Sequence, residues 1–356
     1  MPKKPSYPEE FLPGADSVKK FKEVSKNGPI SLCFFNNKGG VGKTTLVANL
    51  AAELALNYKA KVLVVDADPQ CNLTQYVISD DEFFDYYHNE DSDYGTVFSV
   101  IHPLSIGKGY TRKLPIIKTK NFGFDVIVGD PRLALKEDLL AQDWRDAKAG
   151  GTRGLRTTLV FSHVLEMTSG YDFVFFDMGP SLGAINRSIL LAVDGFVVPM
   201  SVDIFSSWAL KNIGTAVRLW KKEFEVGVSM AEDPDEIPRS HRKADIRFIG
   251  YVTQQHKEKK ESDGSRRIVE AYNTINETLP EKVHQYLKGL YNPKTVDLHL
   301  GEIKHLASLA PKSQSLHSPM INVKATGSYT TMRKQARLIF SGISARLIDN
   351  LHKTFY

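Results

Sequence analysis

Asn36-Asn37-Lys38-Gly39-Gly40-Val41-Gly42-Lys43-Thr44-Thr45 is the stretch on which the reading of this chain turns. A short apolar run, Ile30-Ser31-Leu32-Cys33-Phe34-Phe35, precedes it, and a segment with helical apolar spacing, Leu46 to Leu56, follows. Strand, glycine-rich turn and helix in that order make a phosphate-binding loop. The glycines let successive backbone N–H groups face an anion, and the helix N-terminus adds a favourable dipole. In such a loop Lys43 would neutralise the β- and γ-phosphates of ATP, and the Thr44 hydroxyl would take one place on Mg²⁺.

The loop departs from the usual G-x-x-x-x-G-K-[ST] pattern. Asn37 stands at the first glycine position, and an extra lysine, Lys38, directly precedes Gly39-Gly40. In this it resembles the deviant Walker A loop, KGGVGKTT, of the ParA/MinD family of ATPases that position chromosomes, plasmids and other cargo. The resemblance implies nucleotide contacts from Lys38, Gly39, Gly40, Val41, Gly42, Lys43, Thr44 and Thr45. It also implies that Lys38 crosses to the nucleotide of a second subunit, a cation in trans comparable to an arginine finger worth ~10³–10⁵ in rate.

The rest of the chain is read outward from this loop. Val62-Leu63-Val64-Val65 is a continuous apolar run, as expected of a strand covered on both faces, and it ends in Asp66-Ala67-Asp68-Pro69-Gln70. Carboxylates just past the C-terminal end of a parallel strand lie where open α/β sheets bind ligands. The segment resembles the family's DxDPQ motif, which implies that Asp68 orients the attacking water and Asp66 supports the metal. Cys71 replaces the glycine that commonly follows, so a different bend is expected there. Tyr171-Asp172-Phe173-Val174-Phe175-Phe176-Asp177 is a second apolar strand ending in Asp, and with Met178-Gly179-Pro180-Ser181 it resembles the family's Walker B. Asp177 is then a metal carboxylate opposite Thr44. Near the C-terminus, His305 to Ser313 loosely resembles the family's LSEAPS segment, which implies Pro311 as an adenine neighbour.

The expected fold is therefore α/β: a mostly parallel twisted sheet with helices on both faces, a P-loop NTPase with the deviant Walker A loop. Residues 1–29 read as an N-terminal arm or peripheral helix, and 30–356 as a single P-loop domain with an insertion at about 79–120. Leu155 to Met167 is expected to form one helix, a helix from Arg267 to Leu279 is expected to stop at Pro280, and Val296 to Ile303 is expected to form the last strand.

Composition narrows the function. The 356 residues are 42% hydrophobic and 24% charged, ordinary for a globular chain. No apolar run approaches the ~18 residues of a membrane span, and Met1-Pro2-Lys3-Lys4 opens no signal peptide, so a cytoplasmic protein without a membrane partner is expected, and the resemblance implies that it is nucleoid-associated. Two cysteines, Cys33 and Cys71, make neither a disulfide framework nor a cluster site, which argues against a nitrogenase-reductase-like electron carrier. The net charge is +5, yet Arg239 to Tyr356 carries 20 Lys+Arg against 10 Asp+Glu, leaving the first 238 residues net acidic. That asymmetry points to nonspecific double-stranded DNA, with Lys257, Lys259, Lys260, Arg266, Arg267, Arg333, Lys334 and Arg337 as candidate contacts. The resemblance implies a slow ATPase that forms an ATP-dependent homodimer and is stimulated by a ParB-like or cargo-adaptor protein. Two alternatives stay open: an ATP-gated regulatory subunit of a plasmid, phage or defence system, and a small-molecule ligase or synthetase on the same fold.

Overall fold

The structure, a computed structural model, describes residues 8–88, 95–234, 237, 244–254, 265–295, 297–304, 306 and 308–356; side chains of 88 and 265–273 fall outside this description. Its eight strands are β1 (Ile30–Phe34), β2 (Val62–Ala67), β3 (Ile116–Lys118), β4 (Asp125–Ile127), β5 (Phe173–Met178), β6 (Gly195–Ser201), β7 (Arg247–Gln254) and β8 (His299–Ile303). They lie in one sheet in the order β3-β4-β2-β5-β1-β6-β7-β8, and every pairing is parallel except β3 with β4 at one edge.

Successive residues of the central strands feed opposite layers, the period of two that a pleated strand imposes. Cys33, Leu63, Val65, Val174, Phe176, Phe196 and Val198 pack into one core. Leu32, Phe34, Val62, Val64, Phe173, Phe175 and Val197 pack into the other. The sheet thus needs helices on both sides, and it has them. In chain order these are α1 (Ala15–Val24), α2 (Lys43–Glu53), α3 (Asn72–Val77), α4 (Asp80–His88), α5 (Phe98–Ser105), α6 (Glu137–Lys148) and α7 (Thr152–Thr158). They continue with α8 (Val160–Glu166), α9 (Ala184–Ala192), α10 (Ser206–Ser229), α11 (Ser265–Leu287), α12 (Leu309–Ser315) and α13 (Ser328–Phe355).

Three expectations are corrected. Helix α11 does not stop at Pro280 but runs through it to Leu287, because Leu279, Val283 and Leu287 are buried on one face and their packing outweighs the lost backbone bond. The last strand begins at His299, not Val296, which lies outside the described residues. The helix expected over 155–167 is two, α7 and α8, meeting at Leu159. The 79–120 stretch contributes α4, α5 and the antiparallel edge strand β3, so it is built into the sheet. Helix α1 likewise packs on α13, with Phe21 stacked on Phe173 and Val24 buried.

Candidate functional site

Register brings the motifs together before any side chain is considered. Asp177 at the end of β5 pairs with Phe34 of β1 on one side and with Asp66 of β2 on the other. The glycine loop leaves β1 at this same C-terminal edge and enters α2 at Lys43. Gly40 and Gly42 take φ of +71° and +72°, a left-handed backbone that only glycine adopts without strain. Asn36 braces the loop: its amide donates to Pro199 O at 2.8 Å, and its Oδ1 accepts from the Lys38 N–H at 3.0 Å.

Lys43 is buried in the loop's concavity, and among the described residues its ammonium has only two long contacts, 3.4 Å to the carbonyls of Asn36 and Lys38. Burial lowers its pKa, while Asp177 and Asp68 oppose that shift. A buried cation with such loose partners suits an incoming anion. The cavity around it, about 1040 Å³, is lined by Gly39 to Thr45, by Asp68, Gln70 and Pro180, and further out by Tyr76, Phe83 and His317.

Thr44 Oγ1 donates to Asp177 Oδ2 at 2.8 Å. The other oxygen, Oδ1, is buried without a hydrogen-bond partner. Burial, and then the neighbouring Asp66, pushes the Asp177 carboxyl well above its ordinary range. An orphaned carboxylate oxygen beside a hydroxyl is what Mg²⁺ needs when phosphate oxygens complete its shell, so Thr44 and Asp177 fit the metal. Among the described residues no group of three or more His, Cys, Asp or Glu could hold an ion by itself.

Asp68 lines the cavity and its Oδ1 accepts from the Gln70 N–H at 3.0 Å. Gly179 leaves it room, since a Cβ there would lie 3.3 Å from Asp68 Oδ1. Asp66 is turned to structural partners. Its Oδ2 accepts from Thr74 N–H at 2.8 Å and Thr74 O–H at 2.6 Å, and its Oδ1 from Asp68 N–H at 3.3 Å. Burial pushes it up to about 7. Cys71 takes a left-handed backbone, with φ +55°, a conformation that glycine adopts most readily.

Lys38 does not join Lys43. Its ammonium is bonded to Asp203 just past β6 and to Ser201 Oγ at 3.0 Å, and lies 5.9 Å from the Phe205 ring centre. Beside it Ile204, Phe205 and Trp208 stand 68%, 61% and 61% exposed.

Pro311 is outside the cavity lining; Gln314, Ser315 and His317, a turn further along, line it. Helix α12 is held there by Tyr76, whose hydroxyl bonds Ser313 Oγ at 2.6 Å and accepts from Asn49 of α2 at 3.0 Å. Of the DNA candidates, Lys257, Lys259 and Lys260 lie outside the described residues, as do the side chains of Arg266 and Arg267. The other three are engaged within the fold. Arg333 donates to Val323 O at 3.2 Å, Arg337 to Ile321 O at 2.7 Å, and Lys334 pairs with Glu10 at 3.4 Å.

Sequence reasoning missed Asp203, Gln254, Asp80 and Phe83. Asp203 and Gln254 sit at the C-terminal ends of β6 and β7, the position that already singled out Asp66 and Asp177. Gln254 reaches over Gly42, where any Cβ would collide with its amide, and its Oε1 is buried without a partner. Asp80 and Phe83 carry α4 of the insertion to the cavity wall. No helix among the described residues is long and apolar enough to cross a membrane.

Comparison with known proteins agrees with this geometry. The AAA_31 family, described as an AAA domain, matches residues 30–230. A probable plasmid-partitioning protein ParA of Thermus thermophilus is 31% identical over 211 residues, 58% of this chain and 54% of that protein. A chromosome partitioning protein ParA of Myxococcus xanthus is 27% identical over 201 residues, 56% of this chain and 62% of that one. The chain therefore spans between about half and two thirds of the length of these relatives. Among solved structures, protein DIP2308 of Corynebacterium diphtheriae is similar at a TM-score of 0.63 and 28% identity, covering 81% of this chain and 97% of that one. The ATP complex of a Cyanothece McdA variant shares the fold at a TM-score of 0.58 and 16% identity, covering 90% and 96%. With the family matched across more than half its length and the phosphate loop, strand-end carboxylates and sheet order in place, the chain belongs to the AAA_31 family and is a P-loop ATPase homologue of the ParA/MinD type.

Proposed function

We propose that this protein is an ATP-gated dimerisation switch. It binds ATP with Mg²⁺ on Thr44 and Asp177, pairs with a second copy in that state, and holds nonspecific double-stranded DNA as the pair. Slow hydrolysis, with water oriented by Asp68 and stimulated by a ParB-like or cargo-adaptor protein, dissolves it and so times the positioning of the cargo. When bound, Mg²⁺ neutralises charge developing on the phosphates; the protein's share is to position the groups and exclude water.

The observation that carries this reading is the divergence of the two loop lysines. Lys43 remains in the phosphate concavity, whereas Lys38 points out to Asp203 beside the exposed Ile204, Phe205 and Trp208. A cation on an apolar rim is placed to meet another molecule, and covering three large apolar side chains favours a protein partner. The ParA names of the relatives support the same role. For DNA the support is the charge of the C-terminal third, through Lys257, Lys259, Lys260, Arg266 and Arg267.

The test is light scattering and turnover of Lys38→Ala with ATP and with ADP. The variant is expected to bind nucleotide as a monomer and to lose ATP-driven pairing. Unchanged pairing with full turnover would overturn the reading. A mobility shift with unrelated duplexes at two salt concentrations tests the DNA step, and binding indifferent to ATP would favour the regulatory subunit without a partition role.

A further inference from the structure

The nucleotide switch leaves one built surface unexplained. Residues 94–124 carry five Lys or Arg and no Asp or Glu, a local charge as large as that of the whole chain, inside its otherwise acidic first two thirds. The fold gathers part of this segment around a cavity of about 580 Å³ lined by Leu104 to Gly107, Gly109, Tyr110, Arg153, Arg156 and Thr157. We propose that this cavity, remote in the sequence from every phosphate-loop motif, is a docking groove for an acidic peptide segment of a partner protein that inserts one apolar side chain.

The walls are fixed rather than draped. Tyr110 donates to Arg156 O at 2.7 Å and stacks on His163 at 4.4 Å between ring centres. His163 Nε2 lies 3.0 Å from Thr111 O, and Lys136 donates to Ser105 Oγ at 3.0 Å. Four elements thereby hold one concave shape: α5, the loop after it, α7 and α8. Its floor is apolar, from Leu104, Ile106 and Tyr110, and Ile106 is 50% exposed. At the lip, Gly107 and Gly109 take φ of +75° and +79° with no side chain to narrow the entrance.

The rim decides the occupant. Arg153 and Arg156 line the cavity, Lys108, Arg112 and Lys113 are exposed on the loop beside it, and Arg132 and Lys136 flank Phe98 at 4.6 and 5.0 Å. Asp143 pairs with Arg153 at 3.5 Å, Asp130 with Arg132 at 2.8 Å, and Glu166 reaches His163 at 3.4 Å, so the cationic character of the rim rests on the exposed Lys108, Arg112 and Lys113. Cationic rim and apolar floor complement a chain of Asp and Glu around a Leu or Phe, the pattern of an anchor in a pocket ringed by charge. Duplex DNA offers the charge but no side chain to fill a concave apolar floor.

The test is fluorescence anisotropy of the full chain with a labelled dodecapeptide of Asp and Glu carrying a central Leu-Phe. Saturable binding is expected, weakened about tenfold or more by Ile106→Ser, by Arg112→Glu, and by replacing Leu-Phe with Ser-Ser. It should also weaken as salt rises from ~0.05 to ~0.3 M. Nucleotide binding by the same variants reports that they are folded, and it does not depend on the groove. The proposal fails if no saturation is reached by about 1 mM peptide, or if the Ser-Ser peptide binds equally well. It also fails if both variants bind as the wild type does, or if a short DNA duplex binds with the same sensitivity to Ile106→Ser.

Discussion

Thr44 Oγ1 donates to one oxygen of Asp177 at 2.8 Å while the other oxygen of that carboxylate is buried without a partner. A buried charge in that condition costs stability until something positive meets it. Because its pKa is raised in the fold, the folded chain holds the proton after an unfolded aspartate, near ~4, has lost it. Stability contributed through this proton is present at low pH and is lost as pH rises through the folded value. Asp177→Asn is therefore expected to gain stability over the wild type with rising pH in urea unfolding without metal, and to lose Mg²⁺-dependent nucleotide retention. A difference between the two that shrinks with pH would refute the assignment.

Asp68 faces the phosphate cavity, and among the described residues its carboxylate accepts a hydrogen bond only from the Gln70 backbone N–H. Its removal leaves the glycine loop, Lys43 and Thr44 intact. Asp68→Ala is expected to bind ATP with near-normal affinity while turnover falls by ~10²–10⁴, the usual share of a positioned base. Single-turnover kinetics separate the two; rapid ATP loss would remove Asp68 from water activation.

Gly42 is doubly constrained, by φ +72° and by the Gln254 amide pressed against the place of a Cβ. Gly42→Ala is expected to abolish nucleotide binding and to destabilise the chain by at least ~1–2 kcal/mol from the left-handed backbone. Gln254→Ala alone should keep binding, and in the double variant it should restore only part of the loss. Full restoration, read by nucleotide titration, would show that the collision and not the backbone sets the requirement.

Glu53 is fully buried on α2, with Oε2 accepting from Asn57 at 2.7 Å and Oε1 without a partner. Burial pushes it up to about 7 despite hydrogen bonding by Asn57 and the charge of Arg337. An unfolded glutamate loses its proton near ~4, so ionising Glu53 in the fold costs stability as pH rises from there to about 7. Glu53→Gln should therefore stabilise the protein at pH 8 by on the order of 1–3 kcal/mol and change little at pH 4. Urea midpoints at the two pH values decide; a loss at pH 8 would mean that the carboxylate serves Arg337.

The phosphate loop and the carboxylates after β2 and β5 were legible in the sequence for a physical reason. A phosphate cradle is made by contiguous residues, and buried parallel strands are unbroken apolar runs whose ends can be read directly. The two helical layers follow from the same runs, since a strand apolar on both faces must be covered twice.

What the tertiary structure alone decided is everything that depends on which strand ends are neighbours. The partner of Lys38 lies 165 residues away at Asp203, and Gln254 covers Gly42, because β6 stands beside β1 and β7 beside β6 in an order that no local pattern encodes. Helices α4 and α12 meet at the outer wall of the cavity for the same reason. Pro280 ends no helix because burial of Leu279, Val283 and Leu287 outweighs a local rule. Arg333 and Arg337, which the sequence offers as candidate DNA contacts, donate to the carbonyls of Val323 and Ile321. Local chemistry wrote the phosphate loop; the packing of distant segments settled where its second lysine points.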